Sequence, residues 1–181
     1  MLEAAGIPLE IVAADIDERG IEQGMAGRSP QDIAGLLARE KAKSVAASKP
    51  GRLVIGGDQT LALSSRLFAK PANRAEAAEQ LRALRGKTHA LYSSVAVMRD
   101  GEALFEHGDS ARLTMRSFSD EFLDAYLDAA GTAAGASVGG YQWEKLGIHL
   151  FERVEGDHFT ILGLPLLPLL QFLRRERLLA E

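Results

Sequence analysis

Lys41, Asp58 and Lys70 stand out by type and position, together with the three carboxylates Asp15, Asp17 and Glu18. Carboxylates and lysines together suit a hard divalent cation and a polyphosphate. Anionic oxygens ligate Mg2+ or Mn2+, and ammonium groups neutralise phosphate charge. Other metal chemistry has little support. The chain has no cysteine, and the histidines at 89, 107, 149 and 158 show no ligand spacing.

The elements that must position these groups can be read in part. Leu53-Val54-Ile55 reads as a short buried strand, ended by Gly56-Gly57, with Asp58 at its tip. A carboxylate beyond an interior strand sits where α/β sheets bind ligands, although Gly-Gly-Asp also reads as a plain turn. Leu9 to Ala14 reads as a β-type run leading into Asp15-Ile16-Asp17-Glu18. On extended backbone Asp15 and Asp17 share one face, and Ile16 and Glu18 the other; a solvated acidic loop is the alternative. Arg19 to Arg28, with three glycines, reads as a mobile loop.

Ser29-Pro30-Gln31-Asp32 is a helix start, and the helix should run to about Ser48. Ile33, Ala34, Leu37, Ala38 and Val45 form its apolar stripe, with Lys41 in the middle. Such a lysine either snorkels to water or meets an anion, which makes a reach toward Asp58 the alternative. Glu40, about 100° away around the helix, flanks that pocket or faces solvent.

Further on, Leu61 to Phe68 is expected as a hairpin or lid. Pro71 biases Lys70 to extended backbone, which fixes its direction more than in an ordinary loop. Asn73 caps a helix with Glu76 three residues on, Thr88 to Arg99 is a long strand, and Asp100-Gly101 turns it back into Glu102 to Arg116. Ser119 caps a helix to Ala130. The glycine-rich stretch from Gly131 to Gly140 would let backbone approach a ligand, and Glu144 among aromatics would read the polar edge of a base. A strand over Ile148 to Val154, a Glu155-Gly156-Asp157 turn and a helix over Leu164 to Leu179 complete the chain. The fold class expected is α/β, with a mixed sheet and flanking helices.

Length and composition fit one domain with a full core, or one domain split by a cleft: 181 residues, 46% apolar and 25% charged. A net charge of -4 gives no reason to expect a nucleic-acid polymer. No window approaches 18 consecutive apolar residues and no basic-then-apolar leader opens the chain, so a cytoplasmic protein without membrane contact is expected.

The ordered set Asp15 to Glu18, Glu40-Lys41-Ala42, Gly56 to Gln59, Lys70-Pro71, Gly140 to Gly147, Glu155 to Asp157 and Gly163 to Pro165 resembles the Maf family. These septum-formation-inhibitor proteins act as nucleoside triphosphate pyrophosphatases. The resemblance implies a single domain over residues 1–181, with a cleft between two lobes and a divalent metal, Mg2+ or Mn2+. It implies hydrolysis between the α and β phosphates, with Asp58 as proton acceptor, Glu18 and Asp58 at the metal, and Lys41 and Lys70 on phosphate. It also implies homodimerisation.

Gln59 and Glu144 resemble the branch acting on 7-methyl-GTP, with Lys145 a departure from its usual glycine. A carboxylate offers only acceptors, which suits the adjacent donors of a guanine edge. The matched motifs begin after the family's opening strand and its Ser-x-Ser-Pro-x-Arg-Arg loop, so a fold lacking that first strand is expected. The alternative is a catalytically weak nucleotide-binding or cell-division regulatory protein.

Overall fold

The computed structural model describes residues 1–179. Its elements in chain order are α1 (Glu18–Gly24), α2 (Pro30–Ser48), β1 (Val54–Leu63), β2 (Arg66–Phe68), α3 (Arg74–Leu84), β3 (Thr88–Arg99), β4 (Glu102–Met115), α4 (Asp120–Ala130), β5 (Phe151–Glu155), α5 (His158–Ile161) and α6 (Leu166–Arg175). The strands form one sheet in the order β2-β1-β3-β4-β5. It is α/β, as the sequence reads, and the strands run antiparallel. The α3 crossover brings no parallel pair together because β1 lies between the two strands it joins.

Local chemistry sets most boundaries. Ser29 Oγ accepts from the Asp32 amide, Asn73 Oδ1 from Glu76 and Ser119 Oγ from Phe122, each satisfying an orphan donor of a helix first turn. Glu76 Oε2 also accepts from the Ala72 amide, so the start of α3 is tied on both sides. The Leu61 to Phe68 segment is a hairpin in the register Leu61 to Phe68.

The structure differs from the sequence reading in several elements. Residues 9–14 form no strand; Leu9, Ile11 and Val12 are exposed, so their side chains lack the half-buried surface that makes such residues pair. Glu18 to Gly24 is a helix, not a loop, because Asp17 caps it by accepting from the Gly20 amide at 3.0 Å. Gly20 belongs there: a Cβ on it would lie 2.3 Å from Asp17 Oδ2. Within Gly131 to Gly140, read as a ligand approach, the last two glycines face packed side chains. Gly139 and Gly140 are buried, and Cβ atoms on them would meet Leu61, Tyr141, Ala77 and Leu81. The strand expected from Ile148 starts at Phe151, after a 3-10 turn over Leu146–Leu150. The last helix is shorter, Leu166–Arg175.

The chain forms two compact units. The first comprises Met1–Gln59, Tyr92–Asp109 and the segment from Asp157 onward; the second comprises Thr60–Leu91 and Ser110–Gly156. In the first unit β3 is buried on both faces. Val95 and Val97 pack with Leu166, Leu169, Phe172 and Leu173, whereas Ala96 and Met98 pack with Ala38, Ala42, Ala46 and Val54. The alternation is the two-residue period of a strand, and it places α6 on one face and α2 on the other. In the second unit Ala77, Ala78, Leu81 and Leu84 of α3 are buried, as are Leu123, Tyr126 and Leu127 of α4. Arg74 to Asp128 at 2.8 Å and Arg85 to Asp120 at 2.9 Å tie the two helices at the surface.

The second unit also buries His89, 2% exposed, with Nε2 at 2.7 Å from Tyr141 Oη and no hydrogen-bond partner for Nδ1. Burial lowers its pKa from 6.5 to about 4. Between those values the unfolded chain binds the extra proton, so this stabilisation is complete above the unfolded pKa and shrinks as pH falls. Urea unfolding from pH 7 to pH 5 should show about 2 kcal/mol lost through this group. His89→Gln should lack that slope; an unchanged slope would contradict the assignment.

Candidate active site

The site is built where α2 crosses β1. Ala38, Ala42 and Ala46 present small side chains at four-residue spacing, and Gly56 of β1 presents none. A Cβ at Gly56 would lie 2.3 Å from the Ala38 carbonyl oxygen and 2.7 Å from the Ala42 nitrogen. Gly56 therefore does not end the strand, as its sequence suggested, but lets the helix approach it. β1 continues to Leu63, so Asp58 is an interior strand residue and not a tip. Two residues from Gly56, Asp58 shares the helix-facing side. Lys41, next to Ala42, meets it there.

Lys41 Nζ donates to Asp58 Oδ1 at 2.7 Å and pairs with Glu18 Oε1 at 3.0 Å. The lysine on an apolar stripe thus meets anions and does not simply snorkel. Side-chain exposure falls from 52% at Glu18 to 23% at Lys41 and 10% at Asp58, so the contact with Asp58 is the sheltered one. Burial pulls the Lys41 pKa down, but hydrogen bonds to and attraction by Asp58 and Glu18 outweigh it and leave it above the ordinary lysine value. A cavity of about 760 Å³ has Glu18 and Lys41 on its wall, with residues 7–14 and Leu53–Gly57 around them.

Glu22 joins this field. Partial burial, then the charges of Asp58 and Glu18, raise its carboxyl pKa. It follows Glu18 by four residues, one turn along α1. The spacing was visible in the sequence, but three glycines in that stretch read as loop.

Gln59 is adjacent to Asp58 in sequence and points the other way. Its Nε2 lies 2.9 Å from Ser93 Oγ, 3.0 Å from the Thr160 carbonyl and 3.1 Å from the Ile161 carbonyl. Ser93 Oγ donates to the same Thr160 carbonyl, and Thr160 Oγ1 donates to Asp109 Oδ2. The amide thus joins β1 and β3 to α5 on the face opposite Lys41. Lys70 and Glu144 belong to the second unit. Lys70 is exposed after β2 and precedes buried Pro71; Glu144 is exposed in a turn after buried Tyr141. The structure brings Glu18, Lys41 and Asp58 into one cluster.

A family model described as Maf-like protein matches residues 1–176. The chain belongs to this family. A nucleoside triphosphate pyrophosphatase of Bradyrhizobium diazoefficiens is 62% identical over 180 residues, 99% of this chain and 89% of that protein. One of Rhodopseudomonas palustris is 57% identical over the same shares of the two chains. A 7-methyl-GTP pyrophosphatase of Rhizobium etli is 49% identical over 96% of this chain and 88% of its own. The ordered motifs of this Maf-like chain therefore sit within a match that runs along almost all of it.

Among the described residues no group of three or more His, Cys, Asp or Glu side chains is arranged to hold a metal ion, and no helix is long and apolar enough to cross a membrane. Glu18 and Asp58 nevertheless fit a hard cation, since their oxygens already converge on one positive charge. Mg2+ is often bound by one or two carboxylates with the remaining ligands from water and substrate phosphate.

Gly56→Ala should cost about 1–3 kcal/mol by urea unfolding, because the new methyl meets helix backbone. Gly57→Ala, whose Cβ would have its nearest neighbour at 3.6 Å, should cost less. Equal losses would contradict the close approach as the reason for Gly56.

Proposed function

We propose that this chain is a nucleoside triphosphate pyrophosphatase that breaks the bond between the α and β phosphates, giving a nucleoside monophosphate and pyrophosphate. The observation that carries the reading is the Glu18, Lys41 and Asp58 cluster, in which Glu18 and Lys41 line a cavity and Lys41 Nζ lies 2.7 Å from Asp58. The names of the similar proteins support the same reaction.

Asp58 accepts a proton from a water aligned for attack on the α-phosphorus. Its sheltered, strand-held carboxylate suits that role, because a fixed base orients the water before reaction. Lys41 moves from carboxylate to phosphate and, with Lys70, neutralises charge that grows on the departing pyrophosphate. Glu18 and Asp58 would hold the divalent cation. When bound, that cation supplies Lewis-acid stabilisation of the phosphoryl oxygens.

For the base, we propose a modified guanine, 7-methyl-GTP, with Glu144 as its reader. A carboxylate presents two acceptors to the N1 and N2 donors of guanine, and a cationic methylated purine strengthens the attraction. The name of the Rhizobium etli relative supports this choice. Gln59 contributes by fixing the β1 backbone beside Asp58 through its amide contacts with α5.

Pyrophosphate release over a triphosphate panel with Mg2+ tests the reaction. Asp58→Asn should lower turnover by about 10²-fold or more while circular dichroism stays unchanged. A folded wild-type chain with no turnover on any triphosphate would refute the reading. Glu144→Gln should reduce the preference for 7-methyl-GTP over UTP by about tenfold or more, since one good base contact discriminates by about 1–3 kcal/mol. An unchanged ratio would remove Glu144 from base recognition.

A further inference from the structure

We propose that Lys41 and the divalent cation use one seat in turn: the ammonium fills the place between Glu18 and Asp58 until the cation displaces it, and the displaced ammonium then goes to the triphosphate. The inference rests on the pyrophosphatase reading and concerns the order in which its parts assemble.

The geometry makes the seat exclusive. Lys41 Nζ lies 2.7 Å from Asp58 Oδ1 and 3.0 Å from Glu18 Oε1. A Mg2+ ion bonds oxygen at about 2.0–2.1 Å. An ion bound to both of these oxygens would occupy the space that Nζ fills, and two cations cannot share it. Charge favours exchange over addition. Two carboxylates and one ammonium leave a single negative charge, which a dication replacing the ammonium would neutralise fully.

The displaced lysine then needs another anion. Its stem starts from an apolar helix face packed close to β1, and its ammonium loses both partners on leaving. Without nucleotide, expelling Lys41 opposes metal binding; with nucleotide, the triphosphate receives it. Metal and triphosphate therefore tighten each other's binding through Lys41, and the coupling is reciprocal by linkage. The same side chain holds the carboxylates together in the empty site and neutralises phosphate in the filled one.

Mn2+ binding to the full chain, read from the free-ion electron paramagnetic resonance signal, tests this without turnover. In the absence of nucleotide Lys41→Met should bind Mn2+ about tenfold more tightly than wild type, the competing ammonium being gone. Adding α,β-methylene GTP should tighten Mn2+ binding in wild type by a larger factor than in Lys41→Met. Equal or weaker Mn2+ binding by a folded Lys41→Met chain would overturn the exchange. Asp58→Asn separates the two levels of the account. If it abolishes Mn2+ binding while Lys41→Met brings no tightening, the exchange alone fails; if it leaves binding untouched, the cation sits elsewhere and the metal reading fails with it. Should Lys41→Met not fold, wild type decides. Its Lys41 15Nζ resonance, assigned with Lys41→Arg, should shift on saturation with Mg2+, and an unmoved signal would overturn the proposal.

Discussion

The constraint on which the site depends is the missing side chain at Gly56. With the Ala38 carbonyl 2.3 Å from where its Cβ would stand, any larger residue would push α2 away from β1. The alanines at 38, 42 and 46 answer it from the helix. This close approach puts a lysine and an aspartate, 17 positions apart, within 2.7 Å. Packing thereby fixes an electrostatic contact whose partners would otherwise be separated by a side-chain layer.

Around that contact, negative charge exceeds positive. Lys41 answers both Asp58 and Glu18, while partial burial, and then the charges of Asp58 and Glu18, make Glu22 hold its proton more tightly. A cluster of this kind is poorly satisfied by its own residues, and it gains from an incoming cation and an anion delivered together. A triphosphate with a divalent ion is such a pair. The electrostatics of the Glu18, Lys41 and Asp58 cluster and the family to which the chain belongs therefore point the same way.

Much of the scaffold was legible because it is written locally. Ser29, Asn73 and Ser119 announce their helices by capping chemistry, and Asp100-Gly101 announces the hairpin. Lys41 was conspicuous as a charge on an apolar stripe, and its pairing with Asp58 was one of two readings. What stayed hidden depended on contacts distant in sequence. Gly56 and Gly57 read as a strand end because local rules treat paired glycines as breakers, whereas the packing of α2 makes the first of them part of the strand. The β-like run at 9–14 found no surface to cover it. Gln59 shared a motif with Asp58, but strand alternation sends neighbouring side chains to opposite faces, and its amide is taken up by α5. Glu22 escaped notice because three glycines made its stretch read as loop, although one of them, Gly20, sits against the Asp17 cap that starts α1.

The proposed reaction stands or falls on chemistry at Asp58 and Lys41. The most direct measurement is a crystal structure of the chain with Mn2+ and a triphosphate analogue whose α,β bridge cannot be hydrolysed. Manganese is expected between Glu18 and Asp58, the Lys41 ammonium on a phosphate oxygen, and a water touching Asp58 in line with the α-phosphorus. A triphosphate bound away from Asp58, with the Lys41 to Asp58 pair intact beside it, would contradict the account.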